Sequence, residues 1–491
     1  MTAGASCPEG CRCISGGVYC TEGNMRPLPK SFPISTESLY LFRYNLSSIL
    51  KDQFTNLPLL ESLNLRGNHI SNLAPQAAMK GLDSLEILDL SSNQLEIVPA
   101  ECLQSLGQLR ELNLQNNKIL ALNDDGFSGL GKLDRLYLDS NRIGYVSSKA
   151  FRNLDSLREL TLKNNLITVV PGQAIGLAKT IEILRLAGNP LNMSDLSSLR
   201  AAPTILELDL ANIGRLSKRA LLPLENLTNL NISNCSLARV PILRHLGTMQ
   251  VLDLSWNNIT TLPPEAFSTM TDLTHLRLSN INLSSIEPNA FAGLSSLQHL
   301  SLENNQLKTL PRNLFMPLRS LELLDLYNNP WSCDCRLHWL IRVRIHSTCS
   351  MTCYRCSTPA NFKRTELSLA EVPIKNLSCI PPRIVSSSKD LYLSEGDPAF
   401  FNCDVSGFPI PDVEWLGPGG KPIKQTGDGR RFPSKEGTLE IFNVSRKDAG
   451  QYVCWAGNGG GNATRSFNLT VTVSTNPHSS TISNTASTSS G

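Results

Sequence analysis

The residues best equipped for chemistry in this 491-residue chain are its 14 cysteines and 7 histidines. Four cysteines crowd into Cys7, Cys11, Cys13 and Cys20, and six into Cys333, Cys335, Cys349, Cys353, Cys356 and Cys379; Cys403 and Cys454 follow, and Cys102 and Cys235 stand alone. C-x-C and C-x₃-C spacings suit a zinc ion. They equally suit disulfide frameworks that close the two ends of a long core. Eleven N-x-S/T sequons favour the second reading, at Asn45, Asn192, Asn226, Asn231, Asn234, Asn258, Asn282, Asn376, Asn443, Asn462 and Asn468. Cysteines and sequons together place the chain outside the cell. No G-x-S-x-G elbow, H-E-x-x-H helix or phosphate-cradling glycine loop occurs, and the histidines offer no triad. Neither an enzyme nor a bound metal or cofactor is expected.

The elements that position these groups follow from a repeat. The pattern L-x-x-L-x-L-x-x-N-x-L returns about every 24 residues, as in Leu109, Leu112, Leu114, Asn117 and Ile119. Indexed by the asparagine place, the units fall at Tyr44, Asn68, Asn93, Asn117, Asn141, Asn165, Asn189, Ile213, Cys235, Asn257, Ile281, Asn305 and Asn329. A strand and a turn cannot bury their own apolar side, so the leucines must stack between neighbours. An α/β-type solenoid with a curved parallel sheet is expected. The asparagine amides should form a hydrogen-bonded spine. Cys235 can serve there as a weak donor; Ile213 and Ile281 cannot, and Asn212 and Asn280 are candidates to compensate. Irregularity is expected near 213–235. Phe54, Phe127, Phe151, Phe267, Phe291 and Phe315 read as core residues beneath the convex side.

Side chains alternate along a strand, so residues six, four and two before the asparagine place should face the concave side. In the central units these include Arg135, Tyr137 and Asp139, then Glu159, Thr161 and Lys163, then Ile183, Arg185 and Ala187. Charged groups around a tyrosine anchor suit a polar protein interface, making Arg135, Tyr137, Asp139, Lys163 and Arg185 the binding candidates. Asn231 falls on the same face, where a glycan would obstruct its C-terminal half. His275 and His299 occupy equivalent places in adjacent units; with no third ligand evident, chance placement is the better reading. Residues 336 to 383 hold eight basic residues against Glu366 and Glu371, a local excess of +6 in a chain of net +3. Arg336, Arg342, Arg344, Lys363 and Arg364 are the candidates there for sulfated glycans.

After Cys379 the period vanishes, and residues 383–473 read as an immunoglobulin sandwich. Trp415 lies between Cys403 and Cys454, the spacing of an inter-sheet bridge packed on an indole, and Tyr452 stands two residues before the second cysteine as in a tyrosine corner. The Ser/Thr-rich stretch 474–491 cannot form a core. No hydrophobic leader precedes Cys7 and no 18 apolar residues run together. Either a cell-surface ectodomain or a secreted chain fits.

The spacing C-x₃-C-x-C-x₆-C at residues 7–20 resembles the N-terminal cap of extracellular leucine-rich-repeat proteins, and Asn329-Pro330-Trp331-Ser332-Cys333-Asp334-Cys335 with Trp339 is similar to their C-terminal cap. With one immunoglobulin domain and a polar tail, the layout resembles the leucine-rich-repeat/immunoglobulin cell-surface receptors, nearest to the Lingo group. The resemblance implies a horseshoe of about 12–13 repeats over 33–330, between caps at 7–32 and 331–380. It implies disulfides Cys7–Cys13, Cys11–Cys20, Cys333–Cys356 and Cys335–Cys379. Cys349 and Cys353 have no counterpart in the simple cap and are expected to bridge each other, while Trp339 is expected in the cap core. The function expected is recognition of an extracellular or cell-surface protein through the concave face, as an adhesion receptor, with self-association into a homo-oligomer open. The alternatives are a secreted matrix protein that binds heparan sulfate and innate-immune recognition of microbial glycans. Nucleic acid is not an expected partner.

Overall fold

The computed structural model describes residues 7–473 apart from 21–27, 30, 75–77, 192–195, 203, 217–219, 223, 338, 341–354, 359–378, 424–428 and 435. Cys349, Cys353, Asn192, Asn376, Arg342, Arg344, Lys363, Arg364 and the 474–491 tail therefore lie outside the described residues. The chain divides into two compact units, the first built on the repeats and the second on the sandwich.

Each repeat contributes a three-residue strand whose middle leucine points inward; Leu112, Leu136, Leu160 and Leu184 are completely buried. A single 15-stranded sheet results. It begins with the antiparallel hairpin Arg12–Ile14 and Gly17–Tyr19, and all later strands join in parallel and in register. The cysteine-rich start is thus part of the main sheet, where Cys7 is bonded to Cys13 and Cys11 to Cys20. Among the described residues helix is confined to short pieces such as Ala100–Leu103 and Gly172–Leu177, each following a proline. The convex phenylalanines are core: Phe127 stacks on Phe151 and Phe291 on Phe315, with centroids 6.1 and 6.4 Å apart. No helix among the described residues is long and apolar enough to cross a membrane.

The asparagine spine shows how one side chain serves two repeats. Asn117 Nδ2 donates to the Leu90 and Leu114 carbonyls, each at 3.0 Å, while its Oδ1 accepts the Leu95 N–H at 3.1 Å. Every unit also needs a left-handed residue just before this place, from Arg43 and Gly67 to Asn304 and Asn328. Asn212 and Asn280 fill that left-handed place (φ 57° and 56°). Asn212 there accepts from the Asn234 amide at the exposed flank, so the expected compensation by these two residues is corrected. At Cys235 and Ile281 the backbone N–H is met instead by the asparagine of the next repeat. Asn257 Oδ1 accepts the N–H groups of both Cys235 and Leu237, and Asn305 Oδ1 those of Ile281 and Leu283. Cys235 donates its thiol to the Leu210 carbonyl at 3.1 Å, and burial pushes that thiol up to about 11. Register holds through this stretch, with Leu208, Leu230 and Leu252 in line.

Trp331, at the end of the repeats, is fully buried and donates Nε1–H to the Leu326 carbonyl at 3.1 Å. Trp339 is only half-buried, so the buried indole at this end is Trp331. Cys335 is bonded to Cys379, and Cys333 and Cys356 are each disulfide-bonded.

The second unit contains a sandwich of two four-stranded sheets. One holds Ile380–Ser387, Ala399–Phe408, Thr438–Ile441 and Arg431–Pro433. The other holds Leu391–Ser394, Gly461–Thr472, Gly450–Asn458 and Asp412–Leu416. Pairing is antiparallel except that Leu391–Ser394 runs parallel to Gly461–Thr472. The Cys403–Cys454 bridge joins the sheets beside Trp415, whose ring packs 5.8 Å from Phe401. Tyr452 Oη–H donates to the Asp448 carbonyl at 2.8 Å, making the corner.

Candidate protein-recognition face

Strand register brings the central candidates onto one surface, in a row running Arg135, Glu159, Ile183 and a second running Tyr137, Thr161, Arg185. Arg135 is exposed; Tyr137, Asp139, Lys163 and Arg185 are half-buried. The five are linked chiefly through acidic partners. Arg135 meets Glu111 at 3.2 Å. Tyr137 Oη–H donates to Glu159 at 3.5 Å, and Glu159 is also paired with Arg185. Arg185 faces Glu207 on its other side at 3.8 Å. Asp139 accepts the Lys163 backbone N–H at 2.7 Å, and the Lys163 ammonium lies 2.7 Å from Asp209. Glu111, Glu207 and Asp209 are the residues that sequence reasoning missed. They stand at the same strand positions in flanking repeats, so the period of two could have found them.

The electrostatics follow from this crowding. Burial pushes the Asp139 carboxyl up against the pull of the Lys163 N–H. Burial, with Glu159 and Glu111 nearby, raises the Tyr137 phenol. Burial alone would lower the Arg135 guanidinium, but Glu111 carries it upward. The face is therefore a net in which every named base is paired with an acid, around one aromatic.

Beyond Arg185 lies a depression of about 170 Å³ lined by Glu207, Asp209, Asn231, Asp253 and Arg277. Asn231 stands in register between Asp209 and Asp253. Of the other described sequons, Asn45, Asn234, Asn258 and Asn282 are exposed on the turn after the strand, and Asn226, Asn443, Asn462 and Asn468 are exposed elsewhere. His275 and His299 lie side by side with centroids 4.3 Å apart. Burial, His299 and Arg277 lower the His275 imidazole. No group of three metal-ligating side chains is found among the described residues.

Of the glycan candidates only Arg336 is described. Its guanidinium grips Asp334 through two contacts, at 3.0 and 2.7 Å, and Asp334 is 1% exposed. Burial would raise that carboxyl, but Arg336 and Ser332 hold it below its ordinary value. Asp334 lies two positions before the basic stretch begins, so counting from 336 overlooks the charge that balances Arg336.

The leucine rich repeat family model matches residues 34–95, 73–119, 83–143, 132–191, 242–283 and 272–330. The unmatched gap, 192–241, holds the units built on Ile213 and Cys235. The immunoglobulin I-set domain model matches residues 382–471. Human leucine-rich repeat-containing protein 4C is 43% identical over 280 residues, covering 56% of this chain and 43% of that protein. Mouse leucine-rich repeat-containing protein 4B is 43% identical over 273 residues, covering 54% and 38%. The chain thus spans less than half the length of these relatives. Among solved structures, the crystal structure of a TLR13–ssRNA13 complex aligns with a TM-score of 0.56 at 25% identity, over 67% of this chain and 52% of that one. On repeats, sheet and matched models together, the chain belongs to the leucine-rich-repeat family, in the group whose members also carry an immunoglobulin domain.

Proposed function

We propose that this chain is the extracellular ectodomain of a recognition or adhesion receptor, non-catalytic, that binds a protein partner on its concave repeat face. The observation that carries this reading is the alignment of long polar side chains from consecutive strands into one braced surface around Tyr137. Bracing lowers the ordering cost of association, because Glu159, Lys163 and Arg185 are already held before a partner arrives. Four exposed sequons on the flanking turn support approach from the concave side, since glycans there would cover the flank.

A panel of defined cell-surface proteins, screened against wild type and Tyr137→Ala, tests the reading. A binder should lose about 2 kcal/mol or more on truncation of a central aromatic anchor, with the thermal melt unchanged. A binder indifferent to Tyr137 and to every other concave substitution would sink it.

A further inference from the structure

The N-terminal shoulder of the same sheet carries a different chemistry from its centre. The hairpin turns through Ser15 and Gly16, both left-handed (φ 47° and 79°), as a two-residue turn between twisted strands requires. Its second strand extends the parallel sheet, so Arg12, Tyr19 and Tyr40 stand in one row. Tyr19 and Tyr40 stack with centroids 4.6 Å apart and 6° between their planes. Gly17 admits the Tyr19 ring, because a Cβ there would lie 2.8 Å from its Cε2. Phe42 follows Tyr40 on the same face. Arg43 holds its guanidinium carbon 5.1 Å from the Phe42 centroid. Gly67 leaves room for both, since a Cβ there would meet Arg43 Cγ at 3.1 Å and Phe42 Cε2 at 3.2 Å.

Charge separates this shoulder from the centre. Arg12, Arg43 and Arg66 are exposed, and among the described residues none of the three has a carboxylate partner within 4.0 Å. Arg135, Lys163, Arg185 and Arg277 are each paired with a carboxylate of their own face. The neighbouring Asp89 is engaged by the Asn64 amide at 3.4 Å and the Ser91 N–H at 2.9 Å. A partner carboxylate arriving at the centre must displace an existing pair. At the shoulder it meets guanidinium groups with no acid to give up.

We propose that the shoulder formed by Tyr19, Tyr40 and Phe42, with Arg12, Arg43 and Arg66, docks an acidic segment of a protein partner. Arginine forks take the carboxylates two oxygens at a time and stack on rings, while the aromatic group receives an apolar side chain from between the acids. The proposal rests on the reading of the concave face as the binding side and adds a second, charge-selective contact region to the Tyr137 centre.

The probe is a synthetic glutamate-rich peptide with a central tryptophan, titrated into the full chain, with a glutamine counterpart as control. The glutamate peptide should bind wild type and weaken with salt, as surface attraction is screened over about 8 Å at physiological ionic strength. Arg12→Glu/Arg66→Glu should weaken it at least about tenfold, and Arg12→Gln/Arg66→Gln by less; both pairs are surface changes whose melts should match wild type. No binding to wild type, equal binding by the charge-reversed pair, equal binding of the glutamine peptide, or binding of a heparin oligosaccharide in place of the peptide would each overturn the proposal. Loss in Tyr137→Ala with the arginine pair neutral would overturn the shoulder but leave the concave reading standing. Indifference to both would sink the two together.

Discussion

Lys163 Nζ lies 2.7 Å from Asp209 Oδ2 although a whole repeat separates them. The strands Glu159–Thr161, Ile183–Arg185 and Glu207–Asp209 are consecutive in the sheet, so the lysine reaches across the intervening strand. The side chains are 33% and 15% exposed, so the pair is sheltered without being dry. Lys163→Met should destabilise by about 1 kcal/mol after screening. Asp209→Asn in that background should then cost less than in wild type. Urea unfolding of the double-mutant cycle measures the coupling; strictly additive losses would show the pair to be a contact without energetic weight.

Asn257 carries more of the spine than its neighbours. Its amide donates to the Ile232 and Leu254 carbonyls at 3.0 and 2.7 Å, and its oxygen accepts two N–H groups where Asn117 accepts one. Truncation orphans all of these in a buried site. Asn257→Ala should cost about 3 kcal/mol or more, and at least about 1 kcal/mol more than Asn117→Ala. Equal losses in the two variants, measured by thermal unfolding, would remove the compensating role assigned to Asn257.

The repeat period located the strands and their buried leucines because burial on a period of two leaves a direct mark on residue type. Asn117 and Asn141 were legible for the same reason. Asn212 and Asn280 misled, because a left-handed turn also selects asparagine and the letter does not distinguish backbone conformation from hydrogen bonding. In the candidate site, Tyr137 and Lys163 could be placed by counting. Asp209, the partner of Lys163, and Glu207, the partner of Arg185, stand at equivalent strand positions but were missed because counting gives the face and not which charges pair across it. Tyr19 and Tyr40 were not legible as a pair, because the strand Gly17–Tyr19 lies inside the disulfide-bonded spacing at 7–20, outside the leucine period that marks the other strands.

Trp331 closes the apolar end of the stack, fully buried and tied to Leu326. Trp331→Ala should cost about 3–5 kcal/mol, the range for deleting a large buried aromatic. Half-buried Trp339 should cost clearly less. The comparison of the two melts is the measurement, and a larger loss at Trp339 would reverse the assignment of the core indole.

Asp448 gives the sandwich an acid limit. Burial would raise its carboxyl, but Arg431 at 2.5 Å, Ser445 through N–H and hydroxyl, and Arg430 at 2.6 Å bring it down to about 2 from 3.8. A carboxyl lowered by folding stabilises fully above its unfolded value, and that stabilisation fades as pH falls from about 4 through about 2. The gap corresponds to about 2 kcal/mol. Wild type should therefore lose about this much between pH 5 and pH 2 in excess of an Asp448→Asn variant, which forgoes it at every pH. The same residue's carbonyl accepts the Tyr452 hydroxyl, and burial beside Asp448 pushes that phenol up to about 12, so the corner itself does not titrate in this window. The readout is urea-induced exposure of the Cys403–Cys454 bridge to a phosphine reductant that works in acid, detected by mass spectrometry. Parallel pH profiles for wild type and variant would show that the two arginines do not hold the carboxylate in the folded state.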